Sequence, residues 1–379
     1  MCSGRGYQSL FTSSAVGLVT SSTTRNTKAI MSKPPLKSAL IHSRFAFGLI
    51  LAIILAIILA FFTQPCAGQD SDASSPITSQ EKTTEPELLQ SLGINSNRGL
   101  AESSGVSICS FVKNSIWTHN DSGHSSELFL LRTDGKLLAK VKLNNARNVD
   151  WEAMSRFKID NKSYLIVGDV GDNRARRKAC QIYLIQEPDL AKQLAAKPDK
   201  PIETSVKATR IDFTYPDGAR NCEAIAVDVL ANQIWLIEKI YVNKRGSTPP
   251  GIYVLPLRLQ PVEKSLVAKR IGSFPPSNVT GMDFSPDGRR LIIRNYLNAH
   301  LYSRVDETWE AVIKKTIPNV VVLPIQRQGE AVCFTEDSQA LILTSELNRQ
   351  PIWQVNLKSN FEQPRRLKKS KKKPEAREE

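Results

Sequence analysis

Three glutamates, Glu152, Glu223 and Glu330, each stand second in a segment that resembles the other two: WEAMSRFKIDNKSYLIVGD from Trp151, CEAIAVDVLANQIWLIEK from Cys222 and GEAVCFTEDSQALILTSE from Gly329. Carboxylates at one repeating position matter chemically if the fold brings them together, because converged and unpaired they repel one another. A hard cation such as Ca²⁺, held by carboxylates and waters, relieves that repulsion. Neutralisation by Lys239, Arg294 and backbone N–H groups relieves it too and leaves a polar, ligand-facing pocket. In a third arrangement the glutamates accept N–H bonds from neighbouring units and simply lock them together.

The densest short motif is GDVGDN, in which Asp169, Asp172 and Asn173 offer oxygen ligands on a glycine-bearing loop. Its spacing is not that of an EF-hand, so the match to calcium loops is generic, and Asp and Gly are also ordinary turn formers. Arg174, Arg176 and Arg177 follow at once and suit an anionic ligand. His119 and His124 flank Asp121, a pairing that serves either acid–base chemistry or loop hydrogen bonding. There is no GxSxG elbow, no phosphate-binding P-loop and no dinucleotide fingerprint. Nothing reads as a nucleic-acid motif.

The elements that would position these groups are short β-branched and aromatic runs separated by turn signals. SGVSICSFVKNSIWTHND from Ser104 and TGMDFSPDGRRLIIRNY from Thr280 join the three glutamate segments to make five similar hairpins. The second residues of the five are Gly105, Glu152, Glu223, Gly281 and Glu330; the last are Asp121, Asp169, Lys239, Tyr296 and Glu346. The two columns stand 15–17 residues apart, the length of two strands and a tight turn. Third strands follow at ELFLLRT, QIYLIQEP, GIYVLPLRL, AHLYSRV and PIWQVNL. Fourth strands follow in units one to four at KLLAKVKL, VKATRIDFTY, SLVAKRIGSF and a run near Val320. The one helical segment is EPDLAKQLAAK from Glu187. Four antiparallel strands per unit predict an all-β fold, a β-propeller of five blades with six as the alternative, over residues 100–360. The last unit lacks a clear fourth strand, which a strand from residues 80–97 would supply. In a propeller both columns lie on one face. The ligand-binding candidates there are Asp121, Glu238, Lys239, Arg294, Tyr296 and Glu346, around the channel-mouth or metal candidates Glu152, Glu223, Glu330, Asp169, Asp172 and Asn173.

Outside that domain the chain changes character. Residues 1–68 carry six basic and no acidic residues, and the 18-residue apolar run FAFGLILAIILAIILAFF spans Phe45 to Phe62. Basic residues before it and Cys66-Ala67-Gly68 after it are the parts of a secretory signal cut before Gln69, and the run is also long enough for a single-pass anchor. Translation from Met31 gives a more ordinary signal length. Either reading places the domain outside the cytoplasm, secreted, periplasmic or tethered. Residues 69–99 read as a polar linker and 361–379 as a disordered basic tail. The formal charge of +14 is concentrated in the two ends, so the domain itself is nearly balanced. The tail suits an anionic membrane surface or cell-envelope polymer, or serves only solubility. Cys109, Cys180, Cys222 and Cys333 remain after cleavage; Cys180–Cys222 is the disulfide to test, with buried thiols as the alternative. No CxxC spacing points to zinc.

ESSGVS, IWTHNDSG, DWEA, GDVGDNRARR, IYLIQEP, YPDGARNCEA, VTGMDFSPDG, IRNY and QGEA together resemble a family of exported bacterial propeller proteins. They are more distantly similar to phytase-like esterase domains and SdiA-regulated propellers. The resemblance implies a propeller over nearly all of residues 100–357, and its pattern-bearing positions fall on Glu152, Glu223, Glu330, Asp169 and Asp172. The phytase-like relatives imply calcium and phosphoester substrates. The expected function is thus an extracytoplasmic propeller that binds a ligand at one channel mouth, with Ca²⁺ as the candidate cofactor. A metal-dependent phosphoesterase or esterase and a non-catalytic envelope scaffold are the alternatives.

Overall fold

Period-2 alternation of apolar residues is realised five times over in a computed structural model that describes residues 88–240, 249–276, 278–357 and 365–366. All of them belong to the unit Lys82–Glu379. The apolar run at Phe45–Phe62, the Met31 start, the linker up to residue 87 and most of the basic tail lie outside the described residues. Among the described residues no helix is long and apolar enough to cross a membrane.

Five blades stand around a closed ring of inner strands: Ser103–Ile108, Trp151–Ile159, Cys222–Asp228, Val279–Phe284 and Gly329–Phe334. Each inner strand touches the next, and the fifth touches the first. Every predicted hairpin forms, and every blade adds its third strand antiparallel to the second. Alternate inner-strand side chains serve opposite neighbours, as the two-residue repeat of a strand requires. Ile225 and Val227 pack towards blade 2, while Ala224 and Ala226 pack towards blade 4. The result is five apolar clusters, one between each pair of adjacent blades.

The outer strands close the ring as one alternative expected and depart from expectation in two of the fourth strands. The fourth strand of blade 5 is Leu89–Ile94, paired antiparallel with Pro351–Asn356. The chain therefore closes its ring by lending the first described strand to the last blade, within the stretch read as linker and as the candidate for this role. Elsewhere VKATRIDFTY splits. Ile202–Lys207 adds in parallel to the outer edge of blade 1, and only Thr209–Thr214 joins blade 2. SLVAKRIGSF divides the same way, with Leu266–Val267 parallel on blade 2 and Lys269–Ser273 on blade 3. These additions cover two otherwise open edges. The expected helix forms at Ala191–Ala196, and a second, unforeseen one forms at Trp309–Lys315.

The closing strand supports a direct prediction. A chain beginning at Ser96 loses Leu89 and Leu92, which pack on the clusters either side of blade 5. Removing these two half-buried leucines is expected to cost about 2 kcal/mol and to bare a strand edge that promotes association. Urea unfolding against a chain beginning at Lys82 checks this; equal midpoints would contradict it.

Candidate functional site

A β-bulge marks the start of all five inner strands. The residue skipped by the pairing register is Ser104, Glu152, Glu223, Thr280 or Glu330. This corrects the expected ring in two places, since Ser104 and Thr280, and not Gly105 and Gly281, share the glutamates' position. A bulge adds one residue on one strand and re-aims its side chain. The Ser104 hydroxyl donates to the Glu152 carbonyl at 2.8 Å, and the Thr280 hydroxyl donates to the Gly329 carbonyl at 3.0 Å. Each ties its blade to the next. Gly105 has a packing role instead: a Cβ there would lie 2.3 Å from His119 Nε2 and 2.8 Å from the Met154 nitrogen.

The mouth has two unlike halves. Across blades 3 to 5, Lys239 is the hub. Its ammonium is ion-paired to Glu223, donates to the Tyr296 hydroxyl at 2.8 Å, and lies 3.8 Å from a Glu330 oxygen. Tyr296 passes the contact on, donating to Glu330 at 2.9 Å. Burial works against the charge on Lys239, but the Glu223 and Glu330 carboxylates outweigh it and raise its pKa. Burial, only partly offset by Lys239, leaves Glu223 pushed up to about 7.

Across blades 1 and 2 no cation among the described residues forms an ion pair with Asp121, Asp150 or Glu152. Asp121, Asp150 and Glu152 present oxygens that all lie within 4.8 Å of one another. Glu152 is 5% exposed; among the described residues its carboxylate accepts one hydrogen bond, a long one from Ser104 at 3.3 Å. Burial first, then the charges of Glu223, Asp121 and Asp150, raises its pKa well above the ordinary value. Burial likewise lifts Asp121 to about 6 and raises Asp150. Glu346 is raised to about 8 by burial and by Glu330, Asp121 and Glu102, a sign of how crowded with carboxyl groups this half is. Gly171 closes the floor: a Cβ there would sit 2.5 Å from oxygens of both Asp150 and Glu152. Only a residue without a side chain lets the loop approach the pair so closely.

The remaining expected residues divide between organisers and bystanders. Asp169 is fully buried, paired with Arg177 at 2.7 Å, and accepts the Val149 and Asp150 N–H groups. It aims the Asp150 segment and is spent in doing so. Asp172 accepts from the Arg177 N–H at 2.6 Å, and its own N–H donates to Asn221, which also donates to Asn173 and Glu223. Glu238 accepts from the Gly251 N–H. Arg294 forms no ion pair among the described residues, although Glu330 is near enough to act on its charge. It is fully buried, donates to the Ala331 carbonyl and Gln326, and burial lowers its pKa to about 10. Arg177 likewise turns inward, so the arginine run offers only Arg174 and Arg176 to solvent. His119 is fully buried and burial holds it down at about 4, a neutral packing group against Trp151. His124 pairs with Glu102 at 2.8 Å. Cys180 and Cys222 are free thiols in one apolar cluster, not a disulfide, and burial pushes them up to about 11 and 12.

Asp150 escaped the sequence reading. It lies outside both repeating columns, although it opens the DWEA motif and directly precedes the Trp151-Glu152 strand start.

The chain is a five-bladed β-propeller with a carboxylate-rich channel mouth. No family model matches it, and no curated protein matches it. Among solved structures, the WD40 domain of Neurospora crassa Pan2 is 10% identical over 73% of this chain and 98% of that chain, with a TM-score of 0.37. A chain of a nidogen/laminin complex is 12% identical over 65% of this chain and 73% of its own, with a TM-score of 0.38. Likenesses of that size carry no argument about function, and the blade count rests on the sheet order described above.

Proposed function

We propose that this protein is an extracytoplasmic binding propeller that holds a Ca²⁺ ion with Asp121, Asp150 and Glu152 and takes its ligand at that mouth. One observation carries the reading: three carboxylates converge beside a buried bulge with no committed cation among them, while the other half of the same mouth is neutralised by Lys239. The nearby cation Arg177 is engaged by Asp169, the Gly171 carbonyl and Gln181. Carboxylate oxygens at such separations suit a hard cation with a flexible oxygen shell. A bound Ca²⁺ would supply the positive charge that attracts an anionic or hydroxyl oxygen of the ligand. The protein's own part is to fix the carboxylates, through Asp169 on the Asp150 backbone and Ser104 on Glu152. The extracytoplasmic placement draws on the basic-flanked apolar run at Phe45–Phe62, and the basic tail is proposed to contact anionic envelope polymer or membrane.

Gly171→Ala tests the site without changing any charge. Its Cβ intrudes between Asp150 and Glu152, so Ca²⁺ affinity in a calorimetric titration is expected to fall about tenfold, or 1.4 kcal/mol. Glu152→Gln should abolish the titration. Wild-type protein that takes up no Ca²⁺, or a Gly171→Ala variant that binds it equally well, would overturn the assignment.

A further inference from the structure

The opposite end of the channel holds a second chemical environment. The inner strands of all five blades contribute to a cavity of about 180 Å³ there. Its walls combine apolar side chains, Ile108, Phe157, Val227 and Phe334 among them, with the charged groups Arg156, Lys158, Asp228, Asp283 and Asp287. Asp283 is 8% exposed. One of its oxygens accepts the Phe334 N–H at 3.0 Å, and the other has only a long contact from the Ser155 hydroxyl at 3.4 Å. The basic side chains nearby are engaged elsewhere, Arg156 and Lys158 with Glu336 and Arg304 with Asp228. The Ser107 hydroxyl, 2% exposed and also lining the cavity, has no hydrogen-bond partner among the described residues.

A buried carboxylate with no ion pair is costly, and burial, only partly offset by the Phe334 N–H and the charge of Arg156, pushes Asp283 up to about 7. Asp228 is paired with Arg304, and Asp287 accepts from the Ser285 hydroxyl and the Arg289 N–H. Asp283 is thus the acid left without an ion pair, and beside apolar walls and an unused hydroxyl it is complementary to a ligand with a single cationic end and a short hydrocarbon body. We propose that this cavity is a second binding site, taking a protonated primary alkylamine whose ammonium meets Asp283 and Ser107 while its chain lies against Phe157, Val227 and Phe334. The same chemistry is offered by a free amine and by a lysine side chain of a partner.

The test uses the full chain at pH 8, with Ca²⁺ present to occupy the acidic mouth. n-Butylammonium and a blocked Gly-Lys-Gly peptide are each titrated by calorimetry, with n-butanol as the uncharged control. At least one cation is expected to bind saturably, butanol is not, and Asp283→Asn should weaken binding by about tenfold or more. Asparagine can still accept the Phe334 N–H, so that variant keeps its fold; Ser107→Val, which fills the cavity, gives an independent loss. Binding of the amine alone identifies a free ligand, and binding of the peptide identifies a partner side chain. Absence of binding by both, equal affinity in Asp283→Asn, or loss in Asp150→Asn instead would overturn the proposal.

Discussion

Replacing Lys239 with methionine is expected to destabilise the propeller by about 3–5 kcal/mol at neutral pH, the usual cost of stripping one partner from a buried ion pair. Lys239 is 7% exposed and serves two carboxylates and a phenol at once. Methionine fills the same space and supplies none of this. Glu223 would then be left buried with Asn221 as its remaining donor, and Glu330 with Tyr296. The loss should be specific to charge. Adding Glu223→Gln to Lys239→Met is expected to recover most of it, because the second change removes the uncompensated carboxylate. Urea unfolding of the single and double variants measures both effects. A single-variant loss below about 1 kcal/mol, typical of exposed pairs, would show that the hub does not hold blades 3 to 5 together.

The second large effect is on pH dependence. In chelator, the melting temperature is expected to fall as pH rises from about 5 to 8. Glu223 at about 7 and Glu346 at about 8 keep protons in the folded protein at pH values where the unfolded chain has released them. Asp283, at about 7, acts in the same direction. Where the folded state binds more protons, stability declines with rising pH. The contribution is therefore complete below the ordinary glutamate range and is lost as pH passes through these raised values. A few kcal/mol in a domain of this size corresponds to a drop of roughly 5–10 °C. Ordinary carboxylates, lowered in the folded state by ion pairs, would give the opposite slope over a more acidic range. Scanning calorimetry across pH 5–8 decides between them, and a melting temperature that climbs throughout would contradict the raised values.

Much of this architecture is legible in the residues, because two-residue alternation and turns such as Ser285-Pro286-Asp287-Gly288 are local signals. They mark all five hairpins and their third strands, and leave Leu89–Ile94 recognisable as a candidate closing strand. Ile202–Lys207 and Leu266–Val267 are hidden for a physical reason: their parallel pairing joins segments distant in sequence, without a turn to announce it. The bulges are hidden too. One inserted residue moves the functional position from Gly105 to Ser104 and from Gly281 to Thr280, and a pattern aligned on glycine and glutamate misses it. Arg294 shows the limit of reasoning from a position near the mouth, since this long cationic side chain is buried and donates to the Ala331 carbonyl and Gln326 of blade 5. Asp150 shows the converse, a ligand candidate placed by the loop before a strand and held there by Asp169. The helix at Trp309–Lys315 was missed, although Thr308 caps it by accepting from the Ala311 N–H and Glu310 stands in its first turn.

The central claim is that Asp121, Asp150 and Glu152 form a cation site, and its most direct measurement is the melting temperature at pH 7.5 in chelator and in saturating Ca²⁺, for wild type and Asp150→Asn. Binding to the folded state alone adds about 2.7 kcal/mol at a hundredfold excess over the dissociation constant. Wild type should therefore melt several degrees higher with Ca²⁺. Asp150→Asn should melt higher than wild type in chelator, because one repelling charge is gone, and should gain nothing from Ca²⁺. A wild-type melting temperature indifferent to Ca²⁺, or an undiminished Ca²⁺ response in Asp150→Asn, would contradict the account.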